Sequence, residues 1–160
     1  MAAHRVGDVW GPPPLLTQEA LTDPGRDLHV LPYNPDRHLP MLQQWATGWD
    51  GIAIQPELLP RSGFVVEDLS ALFLYRTDSP VAYLDGIITN PSSDAVDRSA
   101  AIDLVVGAAF DAARADGYRV LIAVTPRAAI IERARRLGFT VAAEPRSTIR
   151  RDVNAPYSPP

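Results

Sequence analysis

An α/β domain with a mixed central sheet flanked by helices is predicted by three features of this sequence. Short apolar runs of strand type alternate with longer runs of helical period. One continuous apolar run, Tyr118–Val124, lies between two helical patterns, as in a strand covered on both faces. The prolines avoid the middle of the chain. Of 16, nine lie in residues 1–62, four follow residue 144, and only Pro80, Pro91 and Pro126 fall between. Proline fixes φ and removes a backbone donor. Residues 1–27 therefore read as an extended arm, 28–153 as the domain, and 154–160 as a proline-rich tail.

The arm contains Gly11-Pro12-Pro13-Pro14 and Asp23-Pro24-Gly25, with one helical turn predicted near Thr17–Leu21. Residues 28–33 alternate as a first strand. Asn34 then caps a helix with Pro35 at its first position. Met41, Leu42, Trp45 and Trp49 give that helix an apolar stripe. Gly63–Glu67 and Ala71–Tyr75 are strands joined by a turn at Asp68. Asp78-Ser79-Pro80 is a hairpin turn leading into the strand Val81–Thr89. Gly86 interrupts this strand, as at a bulge or a close backbone approach.

Residues 98–116 form a helix that is apolar almost all round and predicted to be largely buried. Only Asp103, Gly107, Asp111 and Arg114 make a polar or small stripe, and Gly117 ends it. After Tyr118–Val124, Thr125-Pro126 opens another helix by cap and first-position proline. Ile130, Ala134 and Leu137 line its inner face. Arg133, Arg135 and Arg136 sit near its C-terminal end, where the helix dipole favours cations. Gly138 stops it. Phe139–Ala142 and Ser147–Val153 are the last predicted strands. The unit from 81 to 143 should be right-handed and partly parallel.

Composition excludes several classes of function. The chain has 160 residues, enough for one core, and no cysteine, so disulfides, thiolate metal sites and cysteine nucleophiles are absent together. His4, His29 and His38 do not stand at metal-ligand spacing, and no metal is expected. No apolar run approaches the ~18 residues that span a bilayer. No signal peptide is recognisable, and no membrane is expected. A net charge of −4 without a basic aromatic surface argues against a nucleic-acid partner.

The element order, the segment Gly117–Phe139, the strand end Ile87-Ile88-Thr89-Asn90-Pro91 and the closing Arg135-Arg136-Leu137-Gly138-Phe139 resemble the GNAT (Gcn5-related N-acetyltransferase) superfamily over about residues 28–153. The resemblance implies a GNAT-like, acyl-CoA N-acyltransferase fold. In that superfamily the long helix opens with Gln/Arg-x-x-Gly-x-Gly/Ala. A helix N-terminus offers amides and partial positive charge to a pyrophosphate, and glycines let the backbone approach it. The matching stretch here is Arg98-Ser99-Ala100-Ala101-Ile102-Asp103. Arg98 fits, Ala101 replaces the first glycine, and Asp103 puts a carboxylate at the Gly/Ala position. The preceding loop, Ser92–Asp97, is long and carries Asp94 and Asp97. The tyrosine that many members use as an acid is replaced by Ala134. Asp85 and Glu67 are general-base candidates and Tyr83 a possible acid, although Asp85 is equally explained as a polar residue beside a strand irregularity.

Two readings follow from the resemblance. In the first, the acyl-CoA site is degenerate and the chain is a non-catalytic structural or interaction protein. The segment Gly63–Val66 with Leu72–Pro91 resembles GNAT-like proteins encoded in the virion gene clusters of tailed bacteriophages, which implies a virion-associated or assembly component, otherwise cytoplasmic. Its arms would then hold protein partners, with Trp10 and Tyr157 either as anchors or packed on their own domain. In the second, the chain is an N-acetyltransferase passing acetyl from acetyl-CoA to an amine. Asp85 and Tyr83 would be catalytic, the amides of Ile87, Ile88 and Thr89 would hold the pantetheine arm, and Arg98 with the amides of Ser99, Ala100, Ala101 and Asp103 would hold the pyrophosphate.

Overall fold

The computed structural model describes residues 27–49 and 53–141. The predicted turn at Thr17–Leu21, the strand at 147–153, Trp10, Tyr157 and the proline-rich tail lie outside the described residues. The chain divides into two compact units, Met1–Ala123 and Val124–Pro160.

In the first unit a five-stranded sheet has the order β1-β2-β3-β4-β5. Its strands are β1 (Leu31–Pro32), β2 (Gly63–Val66), β3 (Ser70–Tyr75), β4 (Val81–Thr89) and β5 (Val120–Ala123). The first three pairings are antiparallel and β4–β5 is parallel, which makes the sheet mixed, as the sequence predicts. The predicted strand at 28–33 shortens to Leu31–Pro32, which pair with Val65 and Phe64 of β2. β5 is the edge of the described sheet. Val120 is 50% exposed there, so the two-sided cover predicted from its apolar run is not what its neighbours provide.

Helix α1 (Pro35–Gly48) begins where the sequence placed it. The Asn34 side-chain oxygen accepts from the amides of Asp36 and Arg37, at 3.0 and 3.4 Å, and Pro35 fills the first position. Its buried stripe is His38, Leu42, Trp45 and Ala46. Leu42 and Trp45 pack with Val65, Ala71 and Phe73 into one core cluster. Because side chains alternate along a strand, Leu72 and Leu74 point to the other face of β3. They too are buried.

Helix α2 (Ala95–Ala115) packs on β2, β3 and β4 through Ala101, Val105, Val106, Ala109 and Ala113. All five of these buried residues are small or β-branched, which lets the helix lie close to the sheet. Burial is confined to this stripe, and Ile102, Leu104 and Phe110 are only half-buried. The correction to the predicted burial is simple: a helix packed on one sheet face has a second side that the sheet cannot cover.

α2 ends in a Schellman motif. Gly117 has φ 84°, its amide bonds the Arg114 carbonyl at 3.1 Å, and the Tyr118 amide bonds the Ala113 carbonyl at 3.0 Å. In the second unit, helix α3 (Ala128–Arg136) ends the same way. Gly138 has φ 85°, and the Phe139 amide reaches Ala134 at 2.9 Å. α3 starts two residues later than predicted. Thr125 does not cap it, and its hydroxyl instead accepts from the Arg127 amide at 3.2 Å. Residues 139–141 carry no strand.

Two glycines separate local from tertiary effects. Around Gly107, inside α2, nothing lies within 4 Å of an added Cβ, whereas Gly86 has φ 69° and an added Cβ would stand 3.1 Å from the Phe73 ring. Gly107→Ala should raise stability by roughly 0.5–1 kcal/mol through backbone entropy. Gly86→Ala should lower it by roughly 1–2 kcal/mol. Urea unfolding of both variants measures this contrast.

Candidate functional site

The site is built around β4 and its departure from regular pairing. Ala71 pairs with Ile88 and Phe73 with Asp85, so two steps on β3 face three on β4. The extra residue lies at Gly86-Ile87, and the positive φ of Gly86 makes this the bulge that the sequence predicts. Before the bulge, Tyr83 and Asp85 share a sheet face with Tyr75 and Phe73. After it, Ile88 returns to that same face and packs against the α1 core cluster.

Tyr83, 44% exposed, stands directly opposite Tyr75. The Tyr75 hydroxyl donates to the Leu58 carbonyl at 3.3 Å, from the 3-10 turn Pro56–Leu58. Burial, and secondarily the Asp85 carboxylate, push the Tyr75 phenol above its usual range. Asp85 is exposed and its Oδ1 accepts from the next amide, Gly86, at 2.7 Å. The fold thus brings Tyr83 and Asp85 together and adds Tyr75. The sequence reading missed Tyr75, although a hairpin centred on Asp78-Ser79-Pro80 puts it across from Tyr83. One carboxylate beside two phenols can hydrogen-bond an ammonium or amine group. Glu67 is not part of this group. It lies in the turn after β2, with Arg37 Nη2 at 2.5 Å.

The other half of the site is the passage from β4 into α2. Asn90 secures it: its amide donates to the Leu69 carbonyl at 2.9 Å, its side-chain nitrogen donates to the Asp68 carbonyl at 2.8 Å, its side-chain oxygen accepts from the Ser92 amide at 2.9 Å, and its carbonyl accepts from the Ser93 hydroxyl at 2.9 Å. α2 begins at Ala95, three residues before the predicted start. Asp94, which the sequence reading placed in the loop, is its N-cap. The earlier start moves Arg98, Ser99, Ala100, Ala101 and Asp103 into the helix. The first rung of the ladder is the Arg98 amide to the Asp94 carbonyl, at 3.0 Å. The amides of residues 99–103 follow within that ladder, and the open donors are those of residues 94–97.

Two of these open donors are already engaged. The Asp94 Oδ1 accepts from Val96 at 2.7 Å and from Asp97 at 3.4 Å. These amide bonds, with a smaller contribution from Arg98, hold the Asp94 carboxyl below its usual value. A carboxylate of the chain therefore occupies the kind of position at which a helix N-terminus binds an anion. Arg98 is also committed. Its Nη1 donates to the Asn90 carbonyl at 3.1 Å and to the Ser93 carbonyl at 2.8 Å. Its guanidinium lies 5.6 Å from the Trp49 ring centroid, a cation–π contact.

Trp49 closes the arrangement. Its Nε1–H donates to the Thr89 carbonyl at 2.9 Å, so the end of α1 is tied to the end of β4. Gly48 lies against Pro91, whose Cγ would be 2.7 Å from an added Cβ. Ile87, Ile88 and Thr89 are all half-buried. The sequence reading gave Trp49 a packing role only. The four-residue spacing from Trp45 hid its polar partner, which is distant in sequence.

In the second unit, Ala134 is half-buried. Among the described residues, no group of three or more His, Asp or Glu could hold a metal ion. No described helix is long and apolar enough to cross a membrane.

Two outcomes test this geometry. Trp49→Phe keeps a ring under Arg98 but loses the bond to Thr89, and should cost about 1 kcal/mol in urea unfolding. Asp94→Ala should lower stability at neutral pH. A carboxyl whose folded pKa lies below its usual 3.8 contributes fully above that pH, and the contribution disappears as pH falls through the folded value. The difference between wild type and Asp94→Ala should therefore close in acid, as followed by unfolding midpoints.

No protein-family model matches the chain, and no curated protein matches it. Solved structures do. The aminoglycoside acetyltransferase AAC(6')-Iy, in complex with the bisubstrate analogue CoA-S-monomethyl-acetylneamine, aligns with TM-score 0.59 and 16% identity, over 79% of this chain and 100% of its own. An acetyltransferase of Trypanosoma brucei aligns with TM-score 0.55 and 11% identity, over 79% and 100%. A protein of Agrobacterium tumefaciens str. C58, classed provisionally as an acetyltransferase, aligns with TM-score 0.57 and 16% identity, over 77% and 99%. At such identities the likeness concerns the fold. Together with the mixed sheet and its flanking helices, it shows that this chain has the fold of the GNAT acetyltransferases.

Proposed function

We propose that the chain is a non-catalytic binding or assembly protein built on a GNAT scaffold, with its acyl-CoA phosphate site closed by its own side chains. The observation that carries this reading is the Asp94 carboxylate on the amides of Val96 and Asp97. A pyrophosphate would have to displace that carboxylate and would meet its charge. The Arg98 bonds to Asn90 and Ser93 and the alanine at 134 support the same reading. The partners are proteins held through the proline-rich arms. The core's resemblance to proteins of phage virion gene clusters directs the reading to a virion component.

A second reading is favoured by Tyr75, Tyr83 and Asp85 beside the bulge. They are placed to receive an amine, as an acetyl-CoA-dependent N-acetyltransferase requires. Calorimetric titration of the full chain with acetyl-CoA separates the two. No heat up to millimolar ligand is expected for wild type, with measurable binding by Asp94→Ala once the amides are open. Micromolar binding by wild type would overturn the non-catalytic reading. In that event Asp85→Asn should lower the rate of amine acetylation by roughly 10²-fold or more if Asp85 is the general base.

A further inference from the structure

His38 is buried, 3% exposed, and neither reading of the site uses it. It lies one turn into α1, and its Nδ1 accepts the backbone N–H of the cap residue Asn34 at 2.9 Å. Asn34 in return caps Asp36 and Arg37. This is a variant of the reciprocal capping box, with an imidazole one position beyond the N3 residue that usually supplies a Glu or Gln. The replacement has a chemical consequence. Nδ1 can accept only while it carries no proton, so the bond assigns His38 as the neutral ring with its hydrogen on Nε2.

That Nε2 has no hydrogen-bond partner and lies 3.7 Å from Glu67 Oε1, beyond bonding distance. The groups facing the ring come from three elements. Arg37 is its neighbour on α1, Glu67 comes from the turn after β2, and Tyr33 comes from the connection between β1 and α1, with ring centroids 6.0 Å apart. Tyr33 also donates its amide to the Gly63 carbonyl at 2.8 Å and meets Phe73 edge-on at 5.0 Å. The ring therefore stands where α1 is joined to the sheet. Burial first, and Arg37 second, hold its pKa below 6.5, and Glu67 opposes them.

We propose that His38 is a proton-sensitive fastening of α1 to the sheet. Neutral, it holds the Asn34 amide. Protonated, it has two donors and no acceptor, releases Asn34, turns Nε2–H toward Glu67, and loosens the join of β1 and α1. The sign follows from the lowered pKa. As pH falls below 6.5 the unfolded chain takes the proton first, so the fastening is complete above 6.5 and is lost on acidification through the folded value.

The test is an NMR titration of the full-length chain, with the His38 resonance assigned by its loss in His38→Gln. His38 should titrate below 6.5, and exchange protection of the Asn34 amide should fall by roughly tenfold along the same curve, as expected for one lost hydrogen bond. The wild-type urea midpoint should drop relative to His38→Gln, whose amide oxygen accepts without titrating, as pH falls below 6.5. Glu67→Gln should move the His38 titration further down. A His38 that titrates at or above 6.5, or Asn34 protection that is flat through the titration, would overturn the proposal. If His38→Gln does not fold, assigning the other two resonances with His4→Gln and His29→Gln leaves the wild-type titration to decide.

Discussion

The fold depends on one buried ring. Phe73 is fully buried, and its atoms fill the space that side chains at Gly63 and Gly86 would need, 2.8 and 3.1 Å from their would-be Cβ positions. It touches β2 and β4 from the strand between them and meets Tyr33 edge-on. The two glycines let the neighbouring backbones close around it. At Gly86 that closeness coincides with a positive φ, hence with the bulge. The bulge then returns Ile88 to the face that Tyr83 and Asp85 share and leaves those two in the open beyond α1. A single packing constraint in β3 thereby sets the geometry of β4 around Tyr83 and Asp85.

The second governing feature is electrostatic. A helix as long as α2 concentrates partial positive charge at its first turn. In this chain that charge is answered internally. Asp94 takes two amides, while Arg98, one turn on, binds the carbonyls of the incoming loop and covers Trp49. In the passage from β4 to α2 the chain's own groups thus take two of the open amides and the Arg98 guanidinium. The sheet and its flanking helices keep the fold of the structural neighbours.

Local signals were legible where one or two residues decide them. Asn34-Pro35 starts α1 because a side-chain oxygen and a fixed φ act within one turn. Gly117 and Gly138 stop their helices because a left-handed residue closes a Schellman motif. Gly86 was readable as a bulge. Legibility failed at the start of α2. The apolar pattern put the predicted start at Arg98, whereas Asp94 had the better claim by capping chemistry. At α3, Thr125-Pro126 had the form of a cap, yet the hydroxyl turned to Arg127 one step before the helix.

The sequence by itself determined the α/β class, most element boundaries and the absence of cysteine chemistry, because these rest on period, turn residues and composition. Only the tertiary structure decided which polar groups meet. Trp49 with Thr89, Tyr75 with Leu58, and Arg76 with Asp116 are joined across 40, 17 and 40 residues. Register and bulge placement bring such groups together, and those are settled by how Phe73 packs between its glycines. A one-residue shift on β4 turns every side chain to the other face. Gly86 marks in the sequence where that shift falls, and the packed sheet decides which side chains it brings together.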